Sequence, residues 1–235
     1  MEEVDCGRAA IAGNGGRMTM ERNEVIIQKL LYKYPELEAC LQDLTQMFDT
    51  VVAGYRRGGK LLVCGNGGSS ADGDHIVGEL MKGFMSKRPL SAEDSDSFAA
   101  MFPEDGPYLA AHLQGALPAI SLSGATALTS AYANDVAPDM IYAQQVFGYG
   151  QPEDVLLGIS TSGNSVNVIR ALQTAKVRGL ATIGLTGRSG GRMAGLCDVT
   201  VRVPWELTPD IQERHLPIYH ALCMWVEHIF FETEN

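Results

Sequence analysis

Six consecutive residues, Ser160-Thr161-Ser162-Gly163-Asn164-Ser165, place four hydroxyls and a glycine between a short apolar run and a helical pattern. The run before them, Val155, Leu156, Leu157 and Ile159, lacks helical periodicity and suits a strand buried on both faces. Val166, Ile169, Arg170, Leu172 and Lys176 then follow at helical spacing. The first N–H groups of a helix have no internal partner, and the helix dipole adds partial positive charge there. Such a turn is an anion cradle. Hydroxyls supply further donors, and Gly163 lets the backbone approach a ligand closely. A single Ser or Thr before a helix would be an ordinary cap, but capping needs one hydroxyl and four are present. The loop has no Gly-Lys-Ser/Thr ending and no dinucleotide glycine spacing. A G-x-S-x-G elbow is excluded because residue 162 is Ser. The expected ligand is a small phosphate monoester, with no nucleotide cofactor.

A second loop of the same kind, Gly65-Asn66-Gly67-Gly68-Ser69-Ser70, follows the apolar stretch Lys60–Cys64. The helix after it carries His75 and Glu79, four apart and therefore on one face. That pair suits a divalent metal or a general base beside a proton shuttle, although exposed polar pairs at this spacing are common. A further polar cluster, Gln212, Glu213, His215 and His220, lies in DIQERHLPIYH. Either histidine there could equally be a core or cap residue. Pro217 between them is expected to bend or break its helix.

The elements that position these residues follow from periodicity. Met20–Tyr55 reads as two packing helices interrupted at Pro35, preceded by a flexible extension over 1–19. Strands are expected at 60–64, 116–122, 155–159, 181–185 and 199–203. Helices are expected at 125–147, 164–178 and 210–231. Strands alternating with helices predict an α/β fold, a parallel sheet flanked by helices. The two similar strand–loop–helix units should then bring their loops together at one edge, where open α/β sheets bind ligands. Ser86–Gly115, with SAEDSDS at its centre, reads as an acidic excursion whose later aromatic half packs on something and covers the site or a subunit edge. The final helix is apolar nearly all round, as in a subunit interface.

A chain of 235 residues suits one α/β core. Its net charge of −10 opposes a nucleic-acid footprint or an anionic membrane surface. The five cysteines are scattered without a C-x-x-C pair, which argues against a disulfide framework or a thiolate zinc site. No leader and no membrane-length apolar run is seen, so a cytoplasmic protein is expected.

In combination, GNGGSSADGDH with Glu79, GISTSGNSVNVIRAL, LTGRSGGRMAGLCDVTVRVP and IQERH…H closely resemble the sugar isomerase (SIS) fold, and within it the phosphoheptose isomerase family. The resemblance covers the chain from about Met20 onward, apart from Ser86–Gly115. It implies a single SIS domain, a three-layer sandwich with a five-stranded parallel sheet. It also implies a homotetrameric aldose–ketose isomerase converting sedoheptulose 7-phosphate to a heptose 7-phosphate, with one zinc per subunit. On the family pattern, Ser69, Ser160, Thr161, Ser162 and Ser165 match phosphate and substrate contacts, and Asn66, Asp135 and Gln212 match sugar contacts. Glu79 matches the base and His220 its acid/base partner. His75, Glu79, Gln212 and His220 match the zinc ligands. Asp210 stands where the family often has Arg, and Gly73-Asp74 where it often has Ala-Gln. A non-catalytic SIS protein, a sugar-phosphate sensor or a partner of the replication initiator, would share the fold and phosphate loop but not the acid/base residues. Because Gln212 and His220 are eight apart, one zinc could hold both only if long side chains converge, the helix is interrupted or the ligands come from two subunits.

Overall fold

A computed structural model describes residues 14–232; residues 1–13, most of the expected extension, lie outside the described residues. Helix α1 spans Asn14–Lys33 and therefore begins inside the segment expected as a flexible tail. Pro35 ends it, a short 3-10 turn over Pro35–Cys40 follows, and α2 spans Leu41–Arg56. The chain continues through β1 (Leu61–Gly65), α3 (Gly68–Met81), α4 (Ala92–Met101), α5 (Gly106–His112) and β2 (Ala119–Ser121). Next come α6 (Thr126–Asp135), α7 (Ile141–Tyr149), β3 (Val155–Ile159) and α8 (Val166–Arg178). The chain ends with β4 (Ala181–Thr186), β5 (Val199–Arg202) and α9 (Thr208–Glu227).

The five strands form one parallel sheet in the order β2-β1-β3-β4-β5. All five residues of β1 and of β3 are buried, which explains why both read as unbroken apolar runs. Leu61, Val63, Val155, Leu157 and Ile159 face a core shared with α1, α2, α3 and α9. Leu62, Cys64 and Leu156 face the opposite core, under α7 and α8. Asp154, 2 % exposed, sets the register. Its carboxylate accepts from the Lys60 amide at 2.9 Å, the Lys60 ammonium at 2.6 Å and the Gln151 amide at 2.8 Å. The starts of β1 and β3 are thereby fastened, Leu61 pairs with Val155 and Gly65 with Ile159, and the two polar loops emerge side by side. The strand order reverses at this pair, which is where doubly wound sheets open a ligand crevice.

Four expectations about elements change. The helix expected over 125–147 is two helices, because Ala137 is extended before Pro138 and a residue preceding proline avoids the helical region. The strand expected over 116–122 pairs only at Ala119–Ser121, after Pro118. Helix α9 runs unbroken through Pro217. Proline forfeits one helical bond, and burial of Ile218, Tyr219, Leu222, Cys223 and Val226 holds the helix on both sides of it. That same burial lies within the chain, against α1, α2 and α3, so the apolar surface of α9 is core and not evidence of an interface.

The acidic excursion holds the pair α4 and α5, closed at its base by an antiparallel bridge between Pro89 and Gln114. Ser91 caps α4, its hydroxyl accepting from the Asp94 amide at 3.0 Å. Of the apolar residues expected to pack on something, Phe98 is half-buried, while Met101, Phe102, Tyr108 and Leu109 are exposed in this chain.

Candidate active site

The cradle after β3 has the geometry its hydroxyls suggested. Gly163 takes φ +65°, and the turn presses against the loop after β4. Gly187 donates its amide to Thr161 O at 3.0 Å, and Met193 donates to Gly163 O at 3.1 Å. Asn164 fastens the turn: its side chain donates to Ser162 O at 2.9 Å and accepts from the Arg192 amide at 3.0 Å. The Ser160 and Ser165 hydroxyls lie 3.0 Å apart, with Ser160 buried. Thr161, Ser162 and Asn164 line a cleft of about 360 Å³ with Arg188, Ser189 and Trp205. Sequence reasoning missed those last three; only their place after β4, beside β3, could have pointed to them.

The loop after β1 meets the cradle from the other side. Asn66 and Asn167 exchange two side-chain hydrogen bonds, each 2.9 Å, across the β1/β3 junction. Tyr142 donates to Gly65 O and lies 3.3 Å from the Asn66 carbonyl oxygen. Asn66, Ser165, Asn167 and Asp139 line an open groove of about 340 Å³ there. Asn167 and Tyr142 were not anticipated, since neither lies in a loop of unusual composition. Ser69 is buried in the first turn of α3. Asp135 is exposed at the end of α6, its carboxylate accepting from Asn134 at 2.8 Å, and lines neither opening.

The acid/base candidates gather at the other end of α3. His75 Nε2 lies 3.2 Å from Glu79 Oε1, and Lys82 Nζ lies 2.9 Å from Glu79 Oε2. The His220 ring, on α9, stands edge-on to His75 with centroids 5.1 Å apart. Tyr219 donates to Asp72 at 3.2 Å and so accepts from His75 Nδ1 at 3.1 Å. This leaves His75 Nε2 facing a carboxylate oxygen, a contact that a shared proton or a cation would bridge. Burial pushes the Glu79 carboxyl up, but Lys82 and His75 outweigh it and hold Glu79 below the usual carboxylate range. Burial, and then the charge of His75, push His220 below the usual imidazole value, against the pull of Glu79. At neutral pH the pair is therefore an ionised carboxylate beside a neutral imidazole.

Gln212 does not join this cluster. Its amide packs against Gly68, 2.5 Å from where a Cβ would sit, at the opening of α3. Glu79 lies three turns further along, roughly 16 Å at 1.5 Å per residue. On the continuous α9, Gln212 and His220 stand eight residues apart, roughly 12 Å along the axis. Among the described residues no three His, Cys, Asp or Glu side chains are arranged to hold a metal. The donor chemistry of His75, Glu79 and His220 fits a divalent cation, and among the described residues His220 Nε2 has no hydrogen-bond partner; the Gln212 amide lies at the other end of α3 in this chain.

His215 proves to be a core residue, its Nε2 3.4 Å from Thr186 O. Burial pushes its pKa down to about 4. The unfolded chain then binds a proton below about pH 6.5 that the folded chain refuses until about pH 4, so this group removes stability as pH falls through that window. Denaturant unfolding at pH 7 and pH 4.5 should show the stability gap between the parent and His215→Gln shrinking at the lower pH. The full effect is of order 3 kcal/mol; a gap independent of pH would contradict it.

Comparison with known proteins fits this geometry. Residues 98–187 match the SIS domain family model. The phosphoheptose isomerase of Nitratidesulfovibrio vulgaris strain Hildenborough is 43 % identical over 192 residues, 79 % of this chain and 80 % of that protein. The chain belongs to the phosphoheptose isomerase family. A second relative, the phosphoheptose isomerase of Rhodospirillum rubrum, is 37 % identical over 188 residues, covering 80 % of this chain and 86 % of that one. Solved phosphoheptose isomerases from Neisseria gonorrhoeae (TM-score 0.66, 32 % identity, 88 % of this chain and 98 % of that chain) and Francisella tularensis (0.68, 30 %, 92 % and 100 %) share the fold. The SIS fold expected from the sequence is thus the fold of this chain, and as a family member it is a sugar-phosphate isomerase.

Proposed function

We propose that this isomerase interconverts sedoheptulose 7-phosphate and a heptose 7-phosphate through an enediol. The observation that carries the reading is Glu79 and His220 gathered around His75, on two helices packed together, one of which opens at a phosphate-type loop. Glu79 takes the proton from the carbon next to the carbonyl and returns it to the neighbouring carbon. His220 moves the second proton between the two oxygens, so the sugar gains and loses nothing. Ser160–Ser165 and Ser69 hold the phosphate, Asn66 contacts the sugar, and Gln212 reaches substrate from the opening of α3.

The loop that meets the cradle through Asn66 and Asn167 opens α3, and Glu79 lies in its last turn, so a site that takes the cradle from one copy and the acid/base pair from another accommodates both. Homotetramers provide that, and the exposed apolar residues of α4 and α5 give such an assembly surface to bury. Zinc, one per subunit, would be held by His75, Glu79 and His220; bound there it polarises a sugar oxygen. A cytoplasmic site suits a phosphorylated substrate, which does not cross membranes unaided. No helix among the described residues is long and apolar enough to span one.

Turnover of a panel of ketose phosphates, with and without chelator, tests the reading. The seven-carbon substrate should be converted with solvent deuterium entering the product; no turnover of any member overturns it. In the same assay Ser162→Ala/Ser165→Ala should raise KM with kcat little changed, because phosphate is held alike in ground and transition states. Each lost charge-assisted bond should cost about 1.5–3 kcal/mol. An unchanged KM would place the phosphate elsewhere.

A further inference from the structure

Arg88 is the one non-glycine residue among the described residues with a positive φ, +46°, and its side chain is wholly buried. Left-handed backbone at such a residue persists only where its surroundings over-determine it. Here they do. Arg88 Nε donates to Glu227 Oε1 at 2.8 Å, Nη1 to Leu80 O at 2.7 Å and Nη2 to Glu79 O at 3.2 Å. The guanidinium lies 4.6 Å over the Phe231 ring. The Glu227 carboxylate also collects the amides of Phe84, Met85 and Ser86 at 2.8, 2.7 and 3.3 Å.

Two features make this more than a structural knot. The carbonyls that Arg88 takes belong to the last turn of α3, whose acceptors have no partner inside the helix. One of them is the backbone of Glu79 itself. Glu227 stands about two turns beyond His220 on α9. The ion pair therefore ties the peptide of the base to the helix of its partner imidazole. Buried ion pairs are often no better for stability than apolar residues of the same volume, and their best-attested use is to fix one register.

We propose that Arg88 and Glu227 are positioning residues of the isomerase, locking the last turn of α3 to α9 so that Glu79 faces His220. The proposal rests on the reading of Glu79 as the base. It is tested on the full-length protein with Arg88→Lys, Glu227→Gln and the volume-filling double variant Arg88→Met/Glu227→Leu. A base displaced by an ångström costs about 10²-fold in rate, so kcat should fall by about that factor in each. KM and inorganic-phosphate affinity should stay within about twofold, since the cradle, in the loop after β3, is untouched. A pair that only holds the fold would lower the melting temperature and leave kcat per folded molecule unchanged, and that result overturns the proposal. So does a rise in KM at constant kcat, or failure of all three variants to reach the parent's fold. Failure of the isomerase reading is seen separately, as a parent that converts no ketose phosphate. In that case amide exchange decides: faster exchange confined to residues 80–86 in the variants supports the tether, and unchanged protection there overturns it.

Discussion

Glu79→Gln should lower kcat by about 10³-fold, within the 10²–10⁴ range that general bases contribute, while fold, assembly and phosphate affinity stay close to the parent's. Glutamine keeps the side chain's shape and its hydrogen-bonding reach but has no basic lone pair to take a proton from carbon. The loss falls on the transition state, so kcat and kcat/KM should drop together. Stability should change by no more than about 1 kcal/mol, because the Lys82 partner is a solvent-exposed ammonium. Phosphate binding should persist because the cradle is the loop after β3, whereas Glu79 lies in the last turn of α3. Stopped assays with the seven-carbon substrate, paired with phosphate titration, separate these effects. A variant retaining more than a tenth of the parent's kcat would remove Glu79 from the role of base.

What the sequence revealed and what it withheld have different physical origins. Strands β1 and β3 were legible because a strand covered on both faces has to be apolar throughout, and the loops behind them because Ser and Gly concentrate where a backbone approaches an anion. Their adjacency followed from repetition. The break at Val136–Met140 was also present in the sequence, in Pro138 and its effect on Ala137, but the apolar residues on either side continue helical spacing and hid it. Helix α4 was missed, because its cap, Ser91 with Asp94 three residues on, lies inside a segment whose acidic composition suggests a loop. Pro217 misled in the opposite direction: packing held a helix that local propensity would interrupt.

The site was less legible than the fold, because its parts are joined by contacts distant along the chain. His75 and Glu79 declared their shared face by spacing alone. Nothing local could show that Tyr219 and Asp72 orient His75, or that Glu227 gathers three amides and Arg88 from across the sequence. The resemblance brought Gln212 and His220 to one ion, and helix geometry already opposed it. Within the chain the Gln212 amide packs against Gly68 at the opening of α3, and the His220 ring stands against His75.

Gly163→Ala should damage both stability and phosphate binding, more than any single hydroxyl in the same loop. A methyl added at Gly163 would lie 2.0 Å from the Gly190 carbonyl oxygen and 2.4 Å from its carbon, both backbone atoms that cannot swing aside. The residue also needs φ +65°, where an L side chain costs roughly 1–2 kcal/mol. Relieving the overlap means parting the loop after β3 from the loop after β4, which breaks the 3.1 Å bond from Met193 to Gly163 and loosens Asn164 from Arg192. Strain and overpacking together should cost about 2–4 kcal/mol. The parted cradle no longer aims its amides at one point, so phosphate affinity should fall at least tenfold, about 1.4 kcal/mol. Gly78→Ala supplies the contrast, since a methyl there meets nothing within 4 Å and lies inside α3. That substitution should stabilise the helix by up to about 1 kcal/mol and leave phosphate affinity alone. Thermal unfolding and phosphate titration of the two variants side by side read both signs. A Gly163→Ala protein with the parent's melting temperature and phosphate affinity would show that the close packing of the two loops is not what shapes the cradle.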